Sequence, residues 1–548
     1  MNKEEIINKF IEKGYLISPD FLEVEFDEEF FDLINEKIIS KDKPIVINKD
    51  LFYVIKNNGN NIDINWLEFE KSKSFYEKGR NGKIYYTFLD LLNYNINPVK
   101  KEQLNIILEQ VEKPEETLII EKPQRIDSNV IILKSFAEEP KKRETKDFVG
   151  YFKSIYESIR KILQGRIELQ KVVSINRLIG KNTRELVSII GLVYDKQITK
   201  NGNVLLTLED PTGYITVLIN KNRDELFNLA RDLTLDEVIG VTGILGDKII
   251  FTTNIILPEA MINGDIKKSE DEVYAAFIAD LHVGSVHFLA EDFSKFVKWL
   301  NGSLGSFKQR KVAKNIKYLF ILGDLIDGVG IYPGQDQELV INDVLKQYNK
   351  CAELLSQIRN DINIIICPGN HDALRIGVPQ PVLDKEFARA LYDLPNVTMV
   401  SNPGLVNIHS SPEFNGFDVL MYHGYGFHYY IDKIDGLRMN NARDNPNLVL
   451  KYLLQRRHLA PTHGSALYIP DIEKDNLVIE KIPDIIVTGE MHRSDISTYN
   501  NIITINCSCW QSKTDYQEKT GNNPDPGKVP VINLKTREIN MLKFSKET

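Results

Sequence analysis

Near the start of the chain, apolar residues recur at helical spacing. Ile6, Ile7, Phe10 and Ile11 form one stripe, and Phe30, Phe31, Ile34 and Ile38 form a second. Asp20 and Asp27 stand where N-caps would fall. The pattern predicts a small helical module within residues 1–75, suited either to partner contact or to packing alone. From residue 41 to 110 the period fades into short apolar runs such as Ile45-Val46-Ile47 and Leu51 to Ile55. Between Glu112 and Lys146 the chain is charged and proline-bearing, which is linker composition. The run Val130-Ile131-Ile132-Leu133 inside it also fits a short docking strand. Residues 76–150 are therefore expected to be poorly defined chain ending in a charged linker.

A helix is predicted over residues 151–170, followed by short strand patterns from Val172 to Leu257. Glu209-Asp210-Pro211-Thr212-Gly213 is turn chemistry and joins Leu205–Leu208 to Tyr214–Val217 as a hairpin. A helical piece follows at Arg223–Asp232. Strands, helix and strands in this order, with the L-x-D-P-T-G turn, resemble an OB-fold within residues 151–262. Such barrels serve single-stranded nucleic acid or protein docking. The polar stretch Asn263–Glu272 marks a boundary before a final domain, residues 273–548.

There the pattern changes. Five apolar runs each end in residues able to bind metal. Val273–Ala279 leads into Asp280 and His282, which point the same way if the strand continues. Tyr318–Leu322 leads into Gly323-Asp324 and Asp327. Ile362–Cys367 leads into Gly369-Asn370-His371-Asp372. Val419–Tyr422 leads into His423-Gly424, and Asp484–Val487 into Gly489-Glu490-Met491-His492. The glycines at 323, 369, 424 and 489 let backbone approach an ion or phosphate. A helix is predicted between, from Glu338 to Ile358, with Val340, Val344, Tyr348, Cys351, Leu355 and Ile358 on its buried stripe. This is an α/β layout with its chemistry at strand ends.

Composition sharpens the picture in three places. All nine histidines lie at or after position 282, where the strand-end motifs are. A net charge of −9 argues against a generally basic nucleic-acid coat protein but leaves room for a local basic groove. The four cysteines form no C-x-x-C pair, which gives no sign of a zinc ribbon or disulfide framework. The N-terminus MNKEEIINKF lacks a signal-peptide core, and no apolar run is long enough to span a bilayer, so a cytoplasmic, non-membrane protein is expected.

The ordered set D-x-H, G-D-x-x-D, G-N-H-D, H-G and G-x-x-H resembles the calcineurin-like metallophosphoesterases over residues 273–510. The resemblance implies a β-sandwich flanked by helices with a two-metal site. Asp280, His282 and His492 would hold one ion, and Asp324 would bridge both. Asn370 and His423 would hold the second. His371 would act as the acid, with Asp372 orienting it. Glu490 stands where this family usually has a histidine ligand; as a harder donor it favours Mn²⁺ or Mg²⁺, with Fe or Zn²⁺ as alternatives.

An OB-like barrel directly before such a domain resembles the small, or B, subunits of replicative DNA polymerases. The stretches Asp327–Leu339, Arg456–Gly464 and Asn506–Pro530 are similar to the archaeal family D version. That resemblance implies 3′–5′ exonuclease proofreading of DNA and a large catalytic polymerase partner, with a sliding clamp as a further partner for which no clear C-terminal motif is present. Arg375, Tyr425, Arg456, Arg457 and His458 are expected either to guide DNA or to serve as surface charge and subunit contacts. His287, His409 and His463 are expected to be structural. A scaffold subunit with a site weakened by Glu490, or a stand-alone phosphoesterase or repair nuclease, are the alternatives.

Overall fold

The computed structural model describes residues 3–12, 15–17, 21, 32, 45–47, 129–137, 142–181, 184–259, 266–470 and 474–545. The chain divides into two compact units, Met1–Arg125 and Ile126–Thr548. In the first, helix Lys3–Glu12 buries Phe10 edge-on against Phe21, with ring centroids 6.2 Å apart. Strands β1 (Tyr15–Ile17) and β2 (Ile45–Ile47) pair in parallel. The second stripe (Phe30, Phe31, Ile34 and Ile38), the expected caps and the run Leu51 to Ile55 lie outside the described residues.

The second unit begins with the docking strand that the run inside the expected linker also fits. Val130–Ser135 is a strand, β3, paired antiparallel to Gly404–Ile408 far along the chain. Its backbone is paired along the edge of a sheet, where a linker's would be hydrogen-bonded to water. The helix expected from residue 151 starts earlier, at Thr145, where Glu144 and Asp147 form a capping box.

Next comes a closed five-stranded barrel, β4 (Leu186–Ile198), β5 (Val204–Asp210), β6 (Gly213–Ile219), β7 (Val238–Leu245) and β8 (Ile249–Ile256), joined in the order β4-β5-β6-β8-β7. In β5 every second side chain, from Val204 to Asp210, is buried. Asp210 closes the predicted hairpin: its Oδ1 accepts from the backbone N–H groups of Thr212 at 2.7 Å and Gly213 at 3.1 Å.

The remaining strands are β9 (Tyr274–Ile278), β10 (Ile316–Leu322), β11 (Asn363–Cys367), β12 (Val397–Met399), β13 (Gly404–Ile408), β14 (Phe417–Met421), β15 (Ile485–Thr488), β16 (Asp495–Tyr499), β17 (Ile502–Asn506), β18 (Lys528–Asn533) and β19 (Ile539–Lys543). They form two six-stranded sheets, β12-β11-β10-β9-β18-β19 and β16-β17-β15-β14-β13-β3. Strands β9 to β12 are parallel, and so are β14, β15 and β17. All seven residues of β10 are buried, as a strand covered on both faces requires.

Between the sheets lie Phe277, Phe320, Ile365, Val419, Val487 and Ile505. On the outer face of the first sheet pack helices carrying Phe293, Phe296, Tyr348 and Cys351. On the outer face of the second pack helices carrying Phe427, Tyr430, Val449 and Leu453. The structure is thus a multidomain α/β protein in which a barrel precedes a helix-flanked sandwich. The helix expected from Glu338 begins only at Val344, capped by Asp343, and Val340 is 71% exposed. Val340 and Ile341 instead donate their N–H groups to the Gly284 carbonyl, which holds this stretch out of helical conformation. No helix among the described residues is long and apolar enough to cross a membrane.

Candidate metal centre

The carboxyl ends of β9, β10 and β11 from one sheet, and of β14 and β15 from the other, open onto one place. The hydrogen-bond ladders run on past the strands: Asp280 N–H donates to Gly323 O at 3.1 Å, and Gly489 N–H to His423 O at 2.8 Å. Five residues there adopt the left-handed conformation that side chains other than glycine rarely take. They are Asp280, His282, Asp324, Glu490 and His492, with φ between 48 and 66°. Such strain collects where function holds a backbone against its preference. Gly369 is needed for closeness: a Cβ there would stand 2.2 Å from Asp324 Oδ1.

Asp324 lies at the middle. Its Oδ1 accepts from His371 N–H at 2.8 Å. Its Oδ2 is 3.4 Å from His423 Nε2 and 3.8 Å from His282 Nε2. On one side, His282 Nε2 faces His492 Nε2 at 3.2 Å, with Asp280 Oδ1 3.5 Å from the latter. On the other, Glu490 Oε2 is 3.2 Å from His423 Nε2. Three sets of metal-competent groups therefore adjoin among the described residues, Asp280–His282–His492, Asp280–Asp324–His423 and His282–Asp327–His371, each with its ligand atoms within 4.8 Å of one another. Asn370 follows Gly369 on the same loop, and its Oδ1 is buried without a hydrogen-bond partner.

The imidazoles are held by their other nitrogens. His423 Nδ1 donates to Leu322 O at 2.6 Å, and His282 Nδ1 lies 3.1 Å from Asp327 Oδ1. Each arrangement leaves Nε2 to face the centre as a lone pair, as a metal ligand requires. His423 Nε2 finds no hydrogen bond of acceptable geometry, despite its carboxylate neighbours. Two buried ligand atoms that make no hydrogen bond, Asn370 Oδ1 and His423 Nε2, among converging carboxylates fit a cation better than they fit one another. Electrostatics agree. Burial alone would raise the Asp324 carboxyl, but His423, His371 and His282 outweigh it and hold it well below its ordinary range. Burial disfavours charge on His423 too, yet Asp324, Glu490 and Asp280 raise it well above its usual value. A field that favours a proton there also favours a metal ion, which competes for the same lone pair.

His371 sits beside this centre, its ring centroid 4.7 Å from that of His282. Its Nδ1 lies 2.8 Å from the carbonyl oxygen of Asp327. That carbonyl, not Asp372, orients the ring. Both Asp372 oxygens are engaged elsewhere: Oδ2 accepts from Gly369 N–H at 2.9 Å, and Oδ1 from Tyr348 Oη at 3.1 Å. Asp372 thus braces the loop that carries Asn370 and His371. Burial, with Asp324 adding to it, pushes its carboxyl up to about 7.

The residues expected to guide DNA separate. Tyr425 is half-buried near Glu490. Arg375 is tied to the carbonyls of Gly377 and Pro379. Arg456, Arg457 and His458 are buried and are not DNA contacts. Arg456 pairs with Glu237 of the barrel, Arg457 donates to the carbonyls of Ile479 and Glu480, and His458 pairs with Asp475. Each is satisfied inside the protein, which leaves nothing to offer a phosphate. His287, His409 and His463 bond to Ser512, to Tyr318 and Asp271, and to Tyr468 respectively.

Two residues of the site received no role from the sequence, and a third, Asp327, read there only as able to bind metal, has a different one. Asp327 fixes His282 and is itself held by Gln335 Nε2 at 2.8 Å. Its place in G-D-x-x-D was the available signal. Gln517 Nε2 lies 2.8 Å from His492 Nδ1, and His428 Nε2 is 3.8 Å from Glu490 Oε1. Neither has a spacing that would have marked it.

Residues 275–497 match the family of B subunits of DNA polymerases alpha and epsilon, and residues 187–252 match the OB-fold nucleic acid binding domain. The DNA polymerase II small subunit of Methanothermobacter thermautotrophicus is 38% identical over 402 residues, which span 73% of this chain and 80% of that protein. The chain belongs to the family of archaeal DNA polymerase II small subunits. The small subunit of Archaeoglobus fulgidus is 38% identical over 70% of this chain and 74% of its own length. That of Methanocaldococcus jannaschii is 36% identical over 71% of this chain and 64% of its own length. Among solved structures, one described as a novel archaeal phosphodiesterase aligns over 49% of this chain and 99% of its own at 11% identity, with a TM-score of 0.25, too low to bear on the fold.

Proposed function

We propose that this small subunit is a metal-dependent phosphodiesterase that removes nucleotides from the 3′ end of DNA, and that it works docked on a large catalytic polymerase chain. The observation that carries the reading is the buried Asn370 Oδ1, which has no hydrogen-bond partner, together with His423 Nε2, which faces Asp324, Asp280 and Glu490 without a hydrogen bond of acceptable geometry. Asp280, His282 and His492 would hold one ion. Asn370, His423 and Glu490 would hold a second, and Asp324 lies between the sets. The mixture of carboxylate, amide and imidazole suits Mn²⁺. Bound ions supply Lewis acidity toward the phosphoryl oxygens and lower the pKa of water.

The chain's own residues do the rest. His371 is fixed by a bond from Nδ1 to the Asp327 carbonyl, which leaves Nε2 as its second nitrogen for proton transfer. It gives its proton to the departing 3′ oxygen as the P–O3′ bond breaks. Water forms the new P–O bond and loses its proton to solvent. A 5′-mononucleotide and a strand one residue shorter, ending in a 3′ hydroxyl, are released. For docking, the barrel offers Leu186, Ile244 and Phe251, exposed cross-strand neighbours on β4, β7 and β8. Exposed apolar neighbours of this kind suit a protein partner.

The test is 3′-end degradation of 5′-labelled single-stranded and mismatched DNA with Mn²⁺ or Mg²⁺. Stepwise shortening by the native chain, lost in Asp280→Ala and His371→Ala, is the expected result. Activity that arises only in Glu490→His would instead mark a scaffold with a decayed site.

A further inference from the structure

Beside His371 runs a loop whose side chains the proposed chemistry does not use. Residues 328–341, GVGIYPGQDQELVI, contain no lysine or arginine. The loop is nonetheless tightly built. Gln335 donates to the same Asp327 carbonyl that orients His371, at 2.8 Å, and its Oε1 accepts from Ile331 N–H at 2.9 Å. Tyr332 Oη donates to Glu338 at 2.8 Å, and Val286 N–H donates to Glu338 O at 2.8 Å. The Tyr332 ring is half-buried, its centroid 6.5 Å from that of His371. On the same loop Val329, Ile331 and Val340 are exposed, and so is Val286, whose N–H meets Glu338. A hydrogen-bonded loop with an aromatic ring and exposed apolar side chains therefore borders the acid residue.

The charge on the loop says what it can meet. With Asp336 and Glu338 and no cation, it repels a phosphodiester backbone. Base faces are uncharged, and aromatic side chains stack on them irrespective of sequence. In a duplex those faces are covered by neighbouring pairs; at a frayed end they are free. His371 serves the oxygen of the nucleotide left behind, so the base nearest Tyr332 is the second from the 3′ end.

Resting on the nuclease reading, we propose that the 328–341 loop, with Tyr332 at its centre and Val286 beside it, is a stacking shelf for the unpaired base of the nucleotide that bears the leaving 3′ oxygen. The shelf thereby selects single-stranded and mismatched ends.

The test compares kcat/KM of the full chain with Mn²⁺ on oligothymidylate and on the same strand with an abasic second position. The native ratio should favour the intact strand. Tyr332→Leu should lower that ratio by about tenfold, toward the lower part of what stacking supplies. Tyr332→Phe, which keeps the ring and loses the bond to Glu338, should retain it. Because the ratio is internal, a partly misfolded preparation does not disturb it, and Val340→Ser, at an exposed position, should lower it in the same direction. Equal cleavage of both strands by the native chain overturns the inference and leaves the nuclease reading intact. So does a ratio that Tyr332→Leu leaves alone, or that Tyr332→Phe lowers equally. An unchanged ratio with weakened association to the large chain would make the shelf a protein-docking face. Cleavage of neither strand overturns the nuclease reading and this inference with it.

Discussion

Arg456 places its Nε 3.1 Å from Glu237 Oε2, and both side chains are buried between the barrel and the sandwich. The guanidinium also lies 3.4 Å over the Tyr452 ring, while Tyr452 and Thr234 donate to the other Glu237 oxygen. Few lone pairs or protons are left over, which is the condition under which a buried ion pair holds. The pair makes barrel and sandwich one body and excludes Arg456 from contact with phosphate.

Removing one partner strands the other charge. Arg456→Ala is expected to destabilise the protein by about 3–5 kcal/mol, the usual cost of breaking a buried pair. Denaturant unfolding reads this directly. The salt dependence of DNA binding should keep its slope, since that slope counts phosphate contacts. A shallower slope in Arg456→Ala would return the residue to the DNA path.

The contrast with the metal centre shows what a sequence carries. Asp280, Asp324, Asn370, His423 and His492 follow strand ends, and an apolar run that stops at a carboxylate or imidazole is visible one residue at a time. The R-R-H run at 456–458 looks like a basic patch in the same alphabet. Its burial depends on Glu237 and Asp475, and no local period records those partners. Likewise Gly-Asn-His-Asp names Asp372 but not its direction. That is set by Tyr348, 24 residues earlier on a helix, and by the backbone of Gly369. Val340 shows the same limit: its spacing fits a helix, but a bond to Gly284 decides its conformation.

Orientation of the ligands by their neighbours gives a second prediction. The Gln517 side-chain amide meets His492 Nδ1 at 2.8 Å from outside the centre, and with its oxygen turned to that nitrogen it accepts the Nδ1–H and leaves Nε2 free for an ion. Gln517→Ala should weaken Mn²⁺ binding roughly 10- to 100-fold, as such supporting contacts do. Titration calorimetry of the metal-free protein measures it without any DNA. Unchanged affinity would mean that His492 needs no support or holds no ion.

His371 and Asp372, though adjacent, should behave differently. His371→Ala should cost roughly 10²- to 10⁴-fold in turnover while Mn²⁺ binding persists, the pattern of a lost proton donor. Asp372→Asn should act through the loop. Its effect on stability should be non-additive with Tyr348→Phe, with a coupling of about 0.5–3 kcal/mol, because the two share one hydrogen bond. Additive effects in that cycle would show that the Tyr348–Asp372 contact does not brace the loop.

A pH dependence follows from His409, away from the metal centre. Its Nδ1 lies 3.2 Å from Tyr318 Oη and its Nε2 3.2 Å from Asp271 Oδ2. Burial lowers its pKa below the ordinary 6.5, and Asp271 offsets this only in part. The unfolded chain therefore takes up a proton at this residue near pH 6.5, and the folded chain does so only at lower pH. Between those values the unfolded state binds more protons, so stability falls as pH falls. The contribution is fully present above about 6.5 and is lost progressively below it. Thermal midpoints measured from neutral to mildly acidic pH should decline, and His409→Gln should flatten that decline while keeping a donor and an acceptor in place. Its absolute midpoint will also drop, because residue 409 has φ of 59°, which glutamine tolerates poorly. The slope, not the height, is the diagnostic. An identical acid slope in both proteins would assign the titration to another group.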